Sequence, residues 1–413
     1  MRILYCTFIL FIMISHVGYA QRKAELHLTS DFIDTQLLAA SQQIMLLAEH
    51  TPADKFPRTF ENGAYKFSSS SWWCSGFYPG TLLYLYEGTG KKELLRLGLN
   101  KLVPLNKEQH NRGTHDLGFM LFCSFGNAWR LSKDSIQYRD VLLTGAESLA
   151  TRFNPTTKTI RSWDHQPWQY PVIIDNMMNL EFLMELSKIS GDNRFRDIAI
   201  AHANTTLKNH FRKDFSSYHV LDYDARTGDV IAKKTHQGAF DESAWARGQA
   251  WALYGYTMMF RETADQQYLV QANHIAKFIL THPSLPSDLI PYWDFDKDKI
   301  PSNAKTYANR NLRDVSAAAL NASALLELSQ YVDANTAESY IQSAETILRN
   351  LSAAPYLAPQ GSNGGFILKH SVGSLPGNSE VDVPLTYADY YYVEALIRYQ
   401  RLLHGKPIIA SIN

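Results

Sequence analysis

The stretch "LSKISGDNRFRDIAIAHA", Leu186–Ala203, decides the fold. It closes one apolar helix, crosses a short polar turn, and opens a second helix whose apolar residues recur at helical spacing. The same arrangement returns at "LYEGTGKKELLRLG" (Leu85–Gly98), "LSKDSIQYRDVLLTGA" (Leu131–Ala146), "FRETADQQYLVQANHIA" (Phe260–Ala276) and "LSQYVDANTAESYIQSAETI" (Leu328–Ile347). The helix before each turn is apolar and aromatic. The helix after it carries a polar face, as an outer layer does. Apolar helices are predicted to start near Gly76, Asp116, Asp175, Ser243, Asp314 and Thr386, and a further amphipathic helix over 31–50 precedes the first.

Six apolar helices thus alternate with six amphipathic ones. Short turns join inner to outer. Longer Trp- and Pro-rich loops, such as "RFNPTTKTIRSWDHQPWQYPV" (Arg152–Val172), lead back. The pattern predicts an all-α protein, an (α/α)6 barrel or six-hairpin toroid, forming a single domain over 21–413. A helical solenoid is the alternative. Six pairs with the long loops at one end favour closure. Strand signals are confined to "YHVLDY" (Tyr218–Tyr223) and "GGFILKH" (Gly364–His370).

The 413 residues are 45% hydrophobic and 12% aromatic, enough for a large core and for flat sugar-stacking walls. Forty basic residues balance forty acidic ones, so net charge gives no argument for nucleic acid or an anionic membrane. Arg2, the apolar run Ile3–Ile14 and Gly18-Tyr19-Ala20 before Gln21 predict a secretory signal peptide over 1–20. No later run suits a membrane span. The expected destination is the periplasm. Cys6 leaves with the leader. Cys74 and Cys123 make neither a disulfide framework nor a zinc site, and two buried thiols are expected rather than one bond. There is no HExxH, CxxC or GxSxG and no glycine-rich phosphate loop after a strand, so no metal or cofactor is expected.

In a closed barrel the inner-helix starts meet at one mouth, crowned by the long loops. Four of the six starts carry an acid. Helix capping explains such acids first, and it is the preferred reading for Asp314. Asp175 differs, because Ile173, Ile174, Met177 and Met178 crowd it and Trp163 and Trp168 precede it. Burial and a second carboxylate, Asp116, would hold its proton near neutrality, as a general acid requires. The run "FDESAWARGQAWALYGY" adds Trp245, Arg247 and Trp251, with His219 and Gln237 in the loop before it. Arginine grips a carboxylate with two hydrogen bonds, so the cluster favours an acidic sugar.

The motifs "WWCSGFYPG" (Trp72–Gly80), "THDLGFM" (Thr114–Met120), "IIDNMMNLEFL" (Ile173–Leu183), "SAWARGQAWALYG" (Ser243–Gly255), "RDVSAAA" (Arg313–Ala319) and "LTYADYYYVEAL" (Leu385–Leu396) resemble those of the unsaturated glucuronyl hydrolases, glycoside hydrolase family 88. The resemblance runs from about Ser70 to Leu403. It implies an (α/α)6 barrel acting on the unsaturated uronic acid that polysaccharide lyases leave at a non-reducing end. It implies Asp175 as general acid/base, Asp116 as the second catalytic aspartate and His115 as its neighbour. Trp73, His219, Gln237, Trp245, Arg247 and Trp251 would hold the unsaturated sugar, with Tyr387 or Tyr390 closing over it. The loop with Lys369 and His370 lies where the family varies: the two would face a sulfate or carboxylate on the next sugar or, equally, stand as surface charges. The partner is then an unsaturated uronic-acid oligosaccharide of glycosaminoglycan type, and the protein a monomer or homodimer. Action on pectin fragments, a conventional hydrolase or epimerase on the same barrel, and a non-catalytic glycan-binding protein are the alternatives.

Overall fold

The computed structural model describes residues 25–132, 136–165 and 167–410. The signal-peptide reading over 1–20 lies outside them. Among the described residues the chain forms helical hairpins. The outer helices are α1 (Ser30–His50), α3 (Lys92–Leu105), α5 (Ile136–Ala150), α7 (Asn193–Asn209), α9 (Gln266–Thr281) and α11 (Ala334–Leu351). The inner ones are α2 (Phe77–Thr89), α4 (Asn127–Leu131), α6 (Leu180–Ser190), α8 (Ala246–Thr263), α10 (Val315–Leu328) and α12 (Thr386–Leu403). Helix α12 packs against both α10 and α2, so the last inner helix meets the first. That contact closes the ring and excludes the solenoid.

Local chemistry explains the hairpin turns. Between α6 and α7, Gly191 takes φ +74° and Asp192 accepts the Arg194 N–H at 2.9 Å. One residue ends a helix in the left-handed region and the next caps its successor. Asp265 and Asp333 cap α9 and α11 in the same way. Every residue of α10 is buried, whereas α11 buries one face through Ala337, Tyr340, Ile341, Ala344, Ile347 and Leu348. One continuous core runs from Leu28 to Ile408. Cys74 and Cys123 are free thiols, Cys74 buried and Cys123 half-buried, and desolvation pushes both well above the usual thiol range.

Two inner helices do not open as expected. The second begins with wide π-helical turns over Gly118–Gly126 before α4. The third begins as a strand, then tightens into 3-10 turns over Ile174–Asn179 before α6. The cause is their mutual contact. Phe119 N–H donates to Asn179 Oδ1 at 3.1 Å, and a Cβ on Gly118 would lie 2.7 Å from that oxygen. Close approach of these segments replaces regular helical bonding.

Short strands decorate the mouth: β1 (Phe56–Glu61), β2 (Ala64–Ser68), β3 (Phe153–Asn154), β4 (Thr159–Ile160), β5 (Pro171–Ile173), β6 (Val220–Tyr223), β7 (Val230–Lys234), β8 (Ser371–Ser374) and β9 (Ser379–Val383). "YHVLDY" does contain strand β6. "GGFILKH" does not form one: it turns at Asn363–Gly365, and the strand starts one residue after it, at Ser371. Asp389 accepts the Ile367 and Leu368 N–H groups, which removes those donors from any ladder. The β5-β6-β7 sheet is antiparallel, with Val172 opposite Leu221 and Leu221 opposite Lys233. It places His219, at the start of β6, beside the segment that carries Asp175.

Candidate active site

Asp175 sits where β5 gives way to the tight turns. Ile174 N–H donates to His219 O at 3.0 Å, so the sheet fixes the height of the carboxyl. Only 13% of its side chain is exposed, and Oδ2 is buried without a hydrogen bond among the described residues. Desolvation is the main reason its pKa is pushed up to about 7. Arg247 opposes that rise, Asp116 adds to it, and the Trp251 indole lowers it. The carboxyl therefore carries a proton in near-neutral water.

His219 Nε2 is 3.9 Å from Asp175 Oδ2, beyond hydrogen-bond length. On its other side, His219 Nδ1 accepts the backbone N–H of His236 at 3.0 Å and of Gln237 at 3.1 Å. Two donors on Nδ1 fix the proton on Nε2. Desolvation holds this imidazole far below its usual pKa, so it is a neutral donor aimed at Asp175.

Asp116 precedes the π-helical segment. Thr114 Oγ1 donates to its Oδ2 at 2.9 Å and accepts its backbone N–H at 3.1 Å. His115 is buried and its Nδ1 meets Ser162 O at 3.0 Å, so Nδ1 carries the hydrogen. Its Nε2 lies 3.1 Å from Asp116 Oδ1 without hydrogen-bond geometry and stays unpaired. Burial lowers the His115 pKa, and Asp116 raises it.

The aromatic wall is continuous. Trp73 packs against Tyr387 at 4.9 Å and Phe119 at 5.7 Å between ring centroids. Phe119 in turn meets Trp251 at 5.1 Å. Trp245 lies 4.7 Å from His219 and stacks on the Arg247 guanidinium at 4.5 Å. The indole nitrogen of Trp251 and the hydroxyl of Tyr387 are buried and unpaired, like Asp175 Oδ2, His115 Nε2 and His219 Nε2. These five atoms, without hydrogen bonds among the described residues, lie together at the mouth, where a polar ligand can meet them.

Asp116, Asp175, His115, His219, Trp73, Trp245, Arg247, Trp251 and Tyr387 therefore converge. One expectation does not hold. Tyr390 packs inside the barrel against Phe77 and Tyr84, with its hydroxyl toward Asn127, so Tyr387 alone faces the mouth. Gln237 stays with the cluster: its backbone N–H meets His219 Nδ1 at 3.1 Å, and its amide donates at 2.9 Å to Gly373 O, the carbonyl that also accepts Arg247 Nη2. Lys369 is half-buried, and its backbone N–H donates to Tyr356 O. His370 pairs with Asp382 at 2.8 Å on the surface.

Sequence reasoning missed two features. Trp163 stands edge-on to His219 with His165 and His236 against it, and only its position in the return loop hints at this. Asp314 caps α10 as expected but also pairs with Arg247 at 2.8 Å, both fully buried. The acid at the "RDVSA" start was the signal, and capping hid the second task.

Relatives share this architecture. An unsaturated glucuronyl hydrolase of Formosa agariphila is 46% identical over 356 residues, covering 85% of this chain and 86% of that one. An unsaturated chondroitin disaccharide hydrolase of Streptococcus agalactiae is 30% identical over 353 residues, covering 84% and 85%. The crystal structure of an unsaturated glucuronyl hydrolase specific for heparin superposes with a TM-score of 0.85 at 47% identity, covering 91% of this chain and 99% of that one. The model of Glycosyl Hydrolase Family 88 matches residues 49–413. On that match and these relatives, the chain belongs to Glycosyl Hydrolase Family 88.

Proposed function

We propose that the protein removes the 4,5-unsaturated glucuronic acid from the non-reducing end of lyase-generated glycosaminoglycan oligosaccharides by hydrating its double bond. The observation that carries this reading is Asp175: a buried carboxyl, protonated up to about pH 7, with one oxygen left unbonded beside an arginine and three indoles. Such a group gives a proton to an electron-rich carbon.

The C4=C5 bond of the substrate is conjugated to the ring oxygen as a vinyl ether. Asp175 donates its proton to C4, and the positive charge falls on C5 and the ring oxygen. Asp116 stabilises that cation across the mouth. Asp175, now a carboxylate facing the Nε2–H of His219, takes a proton from the water that attacks C5. The hemiketal opens by breaking C5–O5, leaving a ketone at C5 and a hemiacetal at C1. The hemiacetal then expels the aglycone alcohol and leaves an aldehyde. One water is consumed. Because C1–O breaks only after the ring has opened, with the hemiacetal proton passing to the leaving oxygen, the distance between carboxylates carries no stereochemical meaning here. Trp73, Trp245 and Trp251 supply the walls, and Arg247 the cation for the C5 carboxylate.

A panel of unsaturated disaccharides from heparin, chondroitin, hyaluronan and pectin lyases tests the reading. Loss of the ultraviolet absorbance of the conjugated uronate is expected on the glucuronate-derived products, with none on saturated glycosides. Turnover of saturated sugars, or of the pectin product alone, would overturn it. Among the described residues no helix is long and apolar enough to cross a membrane. The leader over 1–20 supports a periplasmic site of action, and a mature chain beginning at Gln21 is the expected result of N-terminal sequencing.

A further inference from the structure

Asp314 stands outside the groups assigned above to the sugar. Its Oδ1 completes the cap of α10, accepting Ser316 N–H at 3.1 Å and Ser316 Oγ–H at 2.5 Å. A capping residue needs nothing more. Its Oδ2 accepts Arg247 Nη1 at 2.8 Å, from a side chain that is itself 1% exposed.

Arg247 is held on one side only. Nη1 also donates to Val372 O at 2.5 Å, and Nη2 donates to Gly373 O at 2.6 Å. The rings of Trp245 and Tyr387 flank the guanidinium at 4.5 Å and 5.3 Å. A guanidinium has five N–H donors in a fixed fork. Asp314, Val372 and Gly373 take three of them through Nη1 and Nη2. Nε–H and the second Nη2–H remain, and Nε makes no hydrogen bond among the described residues. Two parallel donors on one edge match a carboxylate. The two carbonyls set the plane of the fork, and Asp314 supplies the anion that offsets its buried charge.

We infer that Asp314 is a positioning residue for the reaction: it anchors Arg247 so that the free Nε/Nη2 edge meets the C5 carboxylate of the unsaturated sugar. This rests on the function proposed above. A uronic acid carries that carboxylate whatever its sulfation, so the clamp serves every member of the substrate class.

Asp314→Asn separates the two roles. Asparagine caps a helix about as well as aspartate, so capping alone predicts wild-type kinetics. Positioning predicts a rise in KM of about tenfold or more with a smaller fall in kcat. In an Arg247→Met background the same substitution is expected to change kcat/KM by less than about twofold, because the group it acts through is gone. An unaltered KM in Asp314→Asn, or an equal loss in both backgrounds, overturns the inference. Should thermal melting show Asp314→Asn unfolded, Asp314→Glu keeps the charge and displaces the anchor. A raised KM there supports the inference and a wild-type KM sinks it. Wild-type turnover of the unsaturated disaccharide is measured first. Its absence would reject the functional reading, whereas turnover with unmoved Asp314→Asn kinetics rejects only the role of Asp314.

Discussion

Asp175 and Glu181 lie on the same inner segment, and burial pushes both carboxyls up to about 7. Their surroundings are opposite. Glu181 faces the far end of the barrel, where a cavity of about 300 Å³ is lined by Glu87, Arg130, Glu262, Glu394, Arg398 and Arg401. There it bonds to Arg261, which also donates to Glu327 at 2.6 Å, while Arg398 meets Glu327 at 3.0 Å. Asp175 has no such partner and keeps an unbonded oxygen toward the mouth. Asp389, also raised to about 7, spends its oxygens on the Ile367 and Leu368 N–H groups. A raised pKa therefore does not mark function by itself. A raised pKa on an unsatisfied carboxyl beside other unsatisfied groups does.

The largest effect that tests this contrast is at the mouth. Asp175→Asn is expected to cut kcat/KM by about a thousandfold or more, since one general acid is worth ~10²–10⁴ in rate. The same variant should gain stability relative to wild type as pH rises. Asp175 binds its proton more tightly folded than unfolded, so its contribution is fully present below about pH 4. It is lost as pH climbs to about 7. Asparagine removes that loss, so the melting temperature of the variant minus that of wild type should grow between pH 4 and 8. A difference that shrinks over this range would break the comparison.

At the far end the expectation reverses. Arg261→Met strips Glu181 of its cation and leaves Glu327 to Arg398 alone, and should cost about 3–5 kcal/mol of stability in urea titration, as broken buried pairs do. Turnover per folded molecule should stay within about threefold of wild type. Next in size is the pH profile: kcat/KM should fall about tenfold per unit above pH ~7, where Asp175 loses its proton. Glu181→Gln should leave that limb in place. A limb that moves with Glu181 would assign the titration to the wrong end of the barrel. The smallest effect is a control at the outer layer, where Asp333→Ala removes the α11 cap, with about 1 kcal/mol lost in denaturant titration and unchanged turnover.

The outer layer was the most legible part of the molecule. Turns such as Ser190–Asn193 write their geometry in neighbouring residues, so alternation of inner and outer helices followed from local pattern. The inner starts were less so. "YPVIIDNMMNLEFL" reads as a helix by apolar spacing, yet its first residues pair with β6 and its next turn tightens against Gly118. The site was half legible. Asp175, Asp116 and the tryptophans stood out as acids and aromatics at helix starts. Tyr390 was misplaced because one residue of displacement along a helix reverses the face, and sequence does not show which face wins.

Composition and periodicity by themselves determined that this chain builds two layers of helix and sets acids at one end of the inner layer. Only the tertiary structure decided which acid is left unbonded, because the partners that quiet Glu181, Asp389 and Asp314 come from elements far away in the chain. Asp314 and Arg247 are 67 residues apart, and His219 reaches Asp175 only through a sheet that neither residue belongs to. Hydrogen-bond satisfaction is a property of the assembled surroundings, and it separates Asp175 from Glu181, Asp389 and Asp314.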